Sequence, residues 1–95
     1  MGAMDRFDSL PGWDLVRKGL DDLAQGEETV EALLVAIGSP RLRGLGIAVP
    51  ESPVASPEHR LYEVLAESEP DSAHGRYNAL IRRLVSFERA AECVR

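Results

Sequence analysis

Cysteine, histidine and aromatic residues are scarce in this chain, and no apolar run in it is long. There is one cysteine and there are two histidines among 95 residues, and aromatic residues make up 5%. A single thiol cannot close a disulfide within its own chain. The longest uninterrupted apolar run covers residues 32–37, whereas a membrane-spanning helix needs about 20 such residues. These shortages exclude a disulfide framework and a membrane-spanning helix.

Groups able to carry out catalysis or bind a metal are equally sparse. His59, His74 and Cys93 are far apart in sequence, and no CxxC or HExxH spacing occurs. His74 and Cys93 lie at opposite ends of one predicted helix, roughly 28 Å apart by helical rise, so they cannot form a nucleophile–base pair. The adjacent carboxylates at residues 21–22 and 27–28 do not face each other on a helix and are interpreted as solvated surface. The sequence therefore predicts no catalytic residues, no metal site and no cofactor.

Length and charge describe a small acidic protein. Of the 95 residues, 44% are hydrophobic, as in ordinary folded domains, and 16 acidic against 11 basic residues give a net charge of −5. Residues 1–3 are interpreted as a cloning remnant and residues 4–95 as a single helical domain. Acidic residues occupy the region where a signal peptide needs basic and apolar ones, so a cytoplasmic location is expected. The charge balance disfavours binding that depends on bulk positive charge.

Apolar residues recur at three- and four-residue steps through most of the chain, which is typical of amphipathic helices. The predicted fold class is all-α: a compact bundle of four principal helices plus one short helix. Principal helices are predicted over residues 11–25, 30–37, 57–68 and about 72–93, and the short helix over residues 40–45. The predicted core consists of Trp13, Val16, Leu20, Leu23, Leu33, Leu34, Ile37, Leu61, Val64, Leu65, Tyr77, Leu80, Ile81 and Leu84.

Prolines and glycines determine the predicted helix boundaries. Gly38 is predicted to end the second helix, and Ser39–Pro40 matches an N-cap followed by proline in the first helical turn. A Pro-rich connector without helical periodicity is predicted at about 46–56. In a second interpretation, residues 47–49 form an edge strand that pairs only with a partner.

The last predicted helix carries the pattern that bears most on function. On a helical wheel its apolar residues fall largely in one arc, and we assign Phe87 to the opposite side, among the arginines. Arginine and aromatic residues are enriched at the anchors of protein interfaces. The candidate partner-binding residues are therefore Arg82, Arg83, Ser86, Phe87 and Arg89. Two other interpretations stay open: Phe87 packs beneath another element, and the arginines pair with acids elsewhere in the fold.

Charge is unevenly distributed along the chain. Residues 1–38 and 51–71 each carry a net charge of −5, whereas residues 39–50 carry +2 and residues 72–95 carry +3. A basic last helix packed among acidic elements offsets their mutual repulsion, although each surface pair contributes only about 0–1 kcal/mol. The same asymmetry is suited to an acidic partner.

These features favour two classes of function. The leading hypothesis is a non-catalytic protein-interaction module, a small bacterial regulatory or antitoxin-like subunit that binds a larger partner or itself. The comparison with antitoxins rests on size, charge and composition alone. The alternative is a nucleic-acid-binding domain that uses Arg41, Arg43 and the arginines of the last helix.

Other binding modes have less support in the sequence. Arg41 and Arg43 follow the predicted start of the short helix and form a weak candidate anion site, because helix N-termini favour anions. A helix-turn-helix over residues 29–47 is disfavoured because its second helix is short for reaching base edges. Binding to a membrane surface is not expected, since the apolar face of the last helix is needed for the core. The most distinctive string, residues 77–84, matches no motif with a known mechanism.

Overall fold

Four α-helices make up the regular secondary structure of the described part of the chain, residues 7–94. The structure is a computed structural model that describes residues 7–94, so the interpretation of residues 1–3 as a cloning remnant lies outside the described residues. The helices are α1 (Trp13–Ala24), α2 (Val30–Gly44), α3 (Pro57–Ser68) and α4 (Ala73–Val94). No strand occurs among residues 7–94, which confirms the all-α class. The radius of gyration of 13.0 Å is close to the value of about 12 Å expected for a compact chain of this length.

The central element is α2, which packs against each of the other three helices. Its buried residues lie on several sides of the helix, as in the run Ala32, Leu33, Leu34 and Val35. A helix that is apolar almost all round must be covered on all these sides. The apolar composition of this segment therefore accounts for its position in the middle of the bundle.

The predicted short helix at residues 40–45 does not exist as a separate element. Instead, α2 continues through Gly38, Ser39 and Pro40 to Gly44, and the prediction of a break at Gly38 is wrong. Proline inside a helix costs about 3 kcal/mol because it has no N–H to donate. Continuing the helix buries Leu42 and Leu45, which stabilises by about 1.5–3 kcal/mol for each side chain. Packing therefore outweighs the local signal to stop.

The connector between α2 and α3 has neither helix nor strand in the single chain, and an edge strand at residues 47–49 that forms only with a partner stays a prediction. Its apolar side chains still contribute to the core, since Ile47 and Val49 are buried. The Nη2 of Arg43 donates a hydrogen bond to the Val49 carbonyl at 2.8 Å. The connector is thus held against α2 by both apolar burial and a side-chain hydrogen bond.

An aromatic cluster joins the start of the described chain to α4, and it corrects the predicted position of Phe87. The rings of Phe7, Trp13 and Phe87 lie with centroids 5.7–6.0 Å apart, and Phe87 is 0% exposed. Phe87 comes three residues after Leu84 and four before Ala91, so it shares their face of the helix. The expectation that Phe87 lies on the opposite, exposed side is therefore wrong, and the interpretation that it packs beneath another element is the correct one.

Gly12 allows the N-terminal end of α1 to approach α4 closely. Its φ of 82° lies in the left-handed region that favours glycine. A Cβ at this position would lie 2.9 Å from the carbonyl oxygen of Arg83 and 3.2 Å from the Cβ of Phe87. The packing of the aromatic cluster therefore requires a residue without a side chain at position 12.

Candidate functional site

Four of the five predicted partner-binding residues are exposed on α4. They are Arg82, Arg83, Ser86 and Arg89. Arg82, Ser86 and Arg89 line a shallow groove of about 280 Å³ together with two half-buried aliphatic side chains. We call this set the α4 face, and it consists of Ile81, Arg82, Val85, Ser86 and Arg89.

The apolar part of the α4 face differs from the prediction. Phe87 is absent from it, and Ile81 and Val85 take its place. Ile81 is predicted as a core residue, but its side chain is only partly buried, at the edge of the hydrophobic core. The two aliphatic residues are four positions apart, the spacing that places side chains next to each other on a helix. That spacing is the sequence signal that could have identified them.

Ion pairs divide the arginines of α4 into two groups. The Nη2 of Arg83 lies 3.1 Å from Asp14 Oδ1 on α1, and the Nη1 of Arg76 lies 2.8 Å from Glu69 Oε1. Among residues 7–94, neither Arg82 nor Arg89 has an acidic group within 4.0 Å. Pairing within the fold therefore accounts for Arg83 and Arg76 and leaves the positive charge of the α4 face uncompensated by the described acids.

A second groove lies between α2 and α4 and shares Ile81 and Val85 with the α4 face. It has a volume of about 270 Å³ and contains a buried carboxylate, Glu88. The Nη1 of Arg41 lies 3.8 Å from Glu88 Oε1. Burial raises the pKa of Glu88 above the usual carboxyl range, the Arg41 charge opposes that shift, and the neighbouring Glu92 adds to it.

Arg41 and Arg43 are not brought together. Arg41 is directed to the acids of α4, with its Nε 3.9 Å from Glu92 Oε1, whereas Arg43 binds the connector carbonyl of Val49. The helix start at Ser39–Pro40 that supports the weak anion site does not exist, because α2 is continuous there. The structure thus removes the local basis for anion binding by this pair.

A buried carboxylate, which the sequence predicts at the surface, links α1 to α2. Asp22 is 7% exposed and accepts hydrogen bonds from Lys18 Nζ at 2.7 Å and Thr29 Oγ1 at 2.6 Å. Thr29 in turn caps α2 by accepting from the Ala32 N–H at 3.1 Å. The bond from Lys18, followed by that from Thr29, lowers the pKa of Asp22, and the same contact raises the pKa of Lys18. This network therefore ties α1 to the N-cap of α2.

The two histidines contact different residues, and the cysteine lies near the end of α4. His59 lies 3.5 Å from Glu63, His74 contacts Asn78 at 3.2 Å, and Cys93 is exposed near the end of α4. Within residues 7–94, no group of three or more histidine, cysteine or acidic side chains is placed to hold a metal ion. Over the same residues, no helix has the length and apolar character needed to cross a membrane.

Comparison with known proteins gives no relative from which to transfer a function. No protein-family model matches the chain, no curated protein is significantly similar to it, and no solved structure matches its fold. The geometry of the described residues is therefore the basis for assigning a function.

Proposed function

We propose that this protein is a non-catalytic protein-interaction module, and that it binds a larger partner through the α4 face. The observation that carries the proposal is the separation of the α4 arginines into paired and unpaired groups. Arg83 is engaged with Asp14, whereas Arg82 and Arg89 have no acidic partner among the described residues. In size and net charge the chain suits a small bacterial regulatory subunit of the antitoxin kind, which acts by binding and not by chemistry.

The composition of the α4 face supports binding to protein. Exposed arginines flank the half-buried Ile81 and Val85 along a shallow groove. Aliphatic area provides burial on association, at about 25 cal/mol for each Å² of apolar surface removed from water. Arginine is enriched at protein interfaces because its long stem and planar head combine apolar contact with several hydrogen bonds. A surface with both features meets the requirements of a binding patch.

Affinity capture with matched variants tests the proposal. The wild-type chain and the Arg82→Glu and Arg89→Glu variants serve as baits for extracts of the source organism, and captured proteins are identified by mass spectrometry. The control is Arg17→Glu, which reverses an exposed arginine of α1 outside the α4 face. We expect a protein that the wild type and the control retain and that both α4 variants lose. Equal capture of the same proteins by all four baits would contradict the proposal.

Nucleic-acid binding through Arg41, Arg43 and the α4 arginines is the alternative, and it has less support. Arg41 lies near two carboxylates and Arg43 is bound to the connector, so neither is free to contact phosphate without breaking a contact. The helix-turn-helix at residues 29–47 is also missing, since a single helix occupies most of that range. Retention on duplex or single-stranded DNA at low salt, lost as salt rises, would favour this alternative.

A further inference from the structure

We infer that the occupant of the α4 face is an amphipathic helix of the partner protein that presents acidic side chains to Arg82 and Arg89. This inference rests on the proposed function and specifies the chemistry of the partner. It combines three features of the face: its two unpaired charges, its aliphatic side chains and its position along a regular helix.

The spacing of the charges suits a helical partner. Arg82 and Arg89 are seven residues apart, which is two helical turns and about 10.5 Å along the axis of α4. Val85 lies between them in sequence, and Ile81 lies one turn before it. A second helix packed at a shallow angle repeats its side chains at the same interval. Two carboxylates seven residues apart on such a helix can therefore meet both arginines while its apolar residues cover Ile81 and Val85.

Charge argues against a second copy of this chain as the occupant. Closed dimers are built on a twofold axis, so each subunit contributes the same patch to the interface. A twofold contact through the α4 face would bring Arg82 and Arg89 against the same arginines of the second copy. Like charges brought together in an interface reduce affinity.

Charge also argues against nucleic acid at this face. Affinity for nucleic acid comes largely from several cations that neutralise phosphates. The α4 face carries two arginines, the exposed Glu92 lies on the same helix, and the whole chain has a net charge of −5. Two cations beside aliphatic side chains suit a short acidic and apolar surface better than a phosphate backbone.

Selection from a library of helical peptides tests the inference on the whole protein. The library displays three-heptad helices with one face randomised, and it is panned against the wild type, the Arg82→Glu/Arg89→Glu variant and the Arg17→Glu control. We expect wild type and control to enrich helices with apolar residues and two acids seven positions apart. Because two ion pairs are replaced by two repulsions, these peptides should bind the double variant about tenfold more weakly or worse. The variant should enrich lysine or arginine at the acidic positions instead.

Mapping the bound peptide by NMR separates this inference from the proposed function. Enriched peptides that shift the amide resonances of Ile81 and Val85 but lack acids would overturn the acidic-helix inference and leave the proposed function standing. Peptides that bind elsewhere, or no enrichment above the unselected library, would also overturn the inference, and the capture experiment then decides the proposed function.

Selective retention of single- or double-stranded DNA by the wild type, lost in the double variant, would overturn the inference in favour of nucleic acid. A concentration-dependent dimer in sedimentation that the double variant abolishes would overturn it in favour of self-association.

Discussion

Gly38 on α2 lies directly against Glu88 on α4. A Cβ at position 38 would be 3.0 Å from Glu88 Oε2 and equally close to Leu84 Cδ2. The absence of a side chain at Gly38 lets the two helices approach until Glu88 is only 4% exposed. The contact therefore places an ionisable group inside the packing of the bundle.

The first prediction concerns the pH dependence that this burial produces. Because burial raises the pKa of Glu88, the folded protein holds the proton more tightly than the unfolded chain. The free energy of unfolding should then fall as pH rises through the raised pKa. We expect Glu88→Gln to raise the free energy of unfolding at neutral pH and to flatten its decline with pH. Urea unfolding followed by circular dichroism across mildly acidic to neutral pH measures both effects.

The matched control for that experiment is Glu58→Gln, an exposed glutamate in the first turn of α3. It removes the same charge without altering a buried group, so the wild-type pH profile should persist. An unchanged profile in Glu88→Gln would contradict the assignment of the pH dependence to the α2–α4 contact.

The second prediction concerns Gly19, where α1 crosses α2. A Cβ at this position would overlap the carbonyl oxygen of Glu31 and the Cγ2 of Val35. Backbone cannot move aside cheaply, so Gly19→Ala should destabilise by about 1–3 kcal/mol, despite alanine's higher helix propensity. Gly75→Ala in α4 meets no atom within 4 Å and should stabilise by up to about 1 kcal/mol. Equal melting temperatures for the two variants would show that Gly19 is not at a close crossing.

The third prediction concerns the hydrogen-bond network of Thr29 and Asp22. Thr29→Ala removes the N-cap of α2 and should cost about 1 kcal/mol, whereas Thr29→Ser keeps the hydroxyl and should cost less.

Hydrogen bonds to Asp22 lower the pKa of its carboxyl group. The contribution of Asp22 to the free energy of unfolding is therefore present above the pKa of the unfolded chain and is lost as pH falls through the lowered value. Asp22→Asn should therefore reduce stability at neutral pH and weaken acid unfolding, both measurable by thermal melts. If Asp22→Asn were as stable as the wild type at neutral pH, a structural role for Asp22 would be refuted.

The fourth prediction concerns the aromatic cluster. Phe87→Ala opens a cavity between Phe7 and Trp13 and should cost about 3–5 kcal/mol, a large share of the stability of a chain of this size. Ser86→Ala changes the adjacent exposed residue and should cost less than about 0.5 kcal/mol. Trp13 fluorescence during urea unfolding reports the loss directly, because the Trp13 ring stacks on Phe87 with centroids 5.8 Å apart. If Phe87→Ala lowered the free energy of unfolding only slightly, the result would contradict the buried position of Phe87 and favour the exposed one.

Helix boundaries that depend on neighbouring residues are predicted correctly from the sequence, whereas boundaries that depend on contacts distant in sequence are not. The third helix was predicted over residues 57–68, and α3 spans Pro57–Ser68, because Pro57 suits a first helical turn and Pro70 prevents continuation. The end of α2 was predicted wrongly at Gly38, since burial of Leu42 and Leu45 beyond Pro40 outweighs a local stop signal. Local boundaries can be read from a short window only where no distant contact opposes them.

The candidate site shows the same division. The pattern of α4 alone predicts Arg82, Ser86 and Arg89 as partner-binding residues, and the structure shows only that they are exposed along one groove. Phe87 was assigned to that group wrongly, and Ile81 was placed in the core although it borders the groove. The helical spacing of Phe87 from Leu84 indicated the correct side, but the ring that covers it comes from Phe7, 80 positions earlier in the sequence.

By itself, the sequence determined the helical class, the amphipathic periods and an arginine-rich last helix, since these depend on residues within a few turns of each other. Only the tertiary structure decided which of those arginines are already paired. Arg83 meets Asp14 across 69 positions of sequence, whereas Arg82, its immediate neighbour, points about 100° away around the helix and meets no acid among the described residues. One step along α4 thus separates an arginine that is paired within the fold from one that has no acidic partner among the described residues.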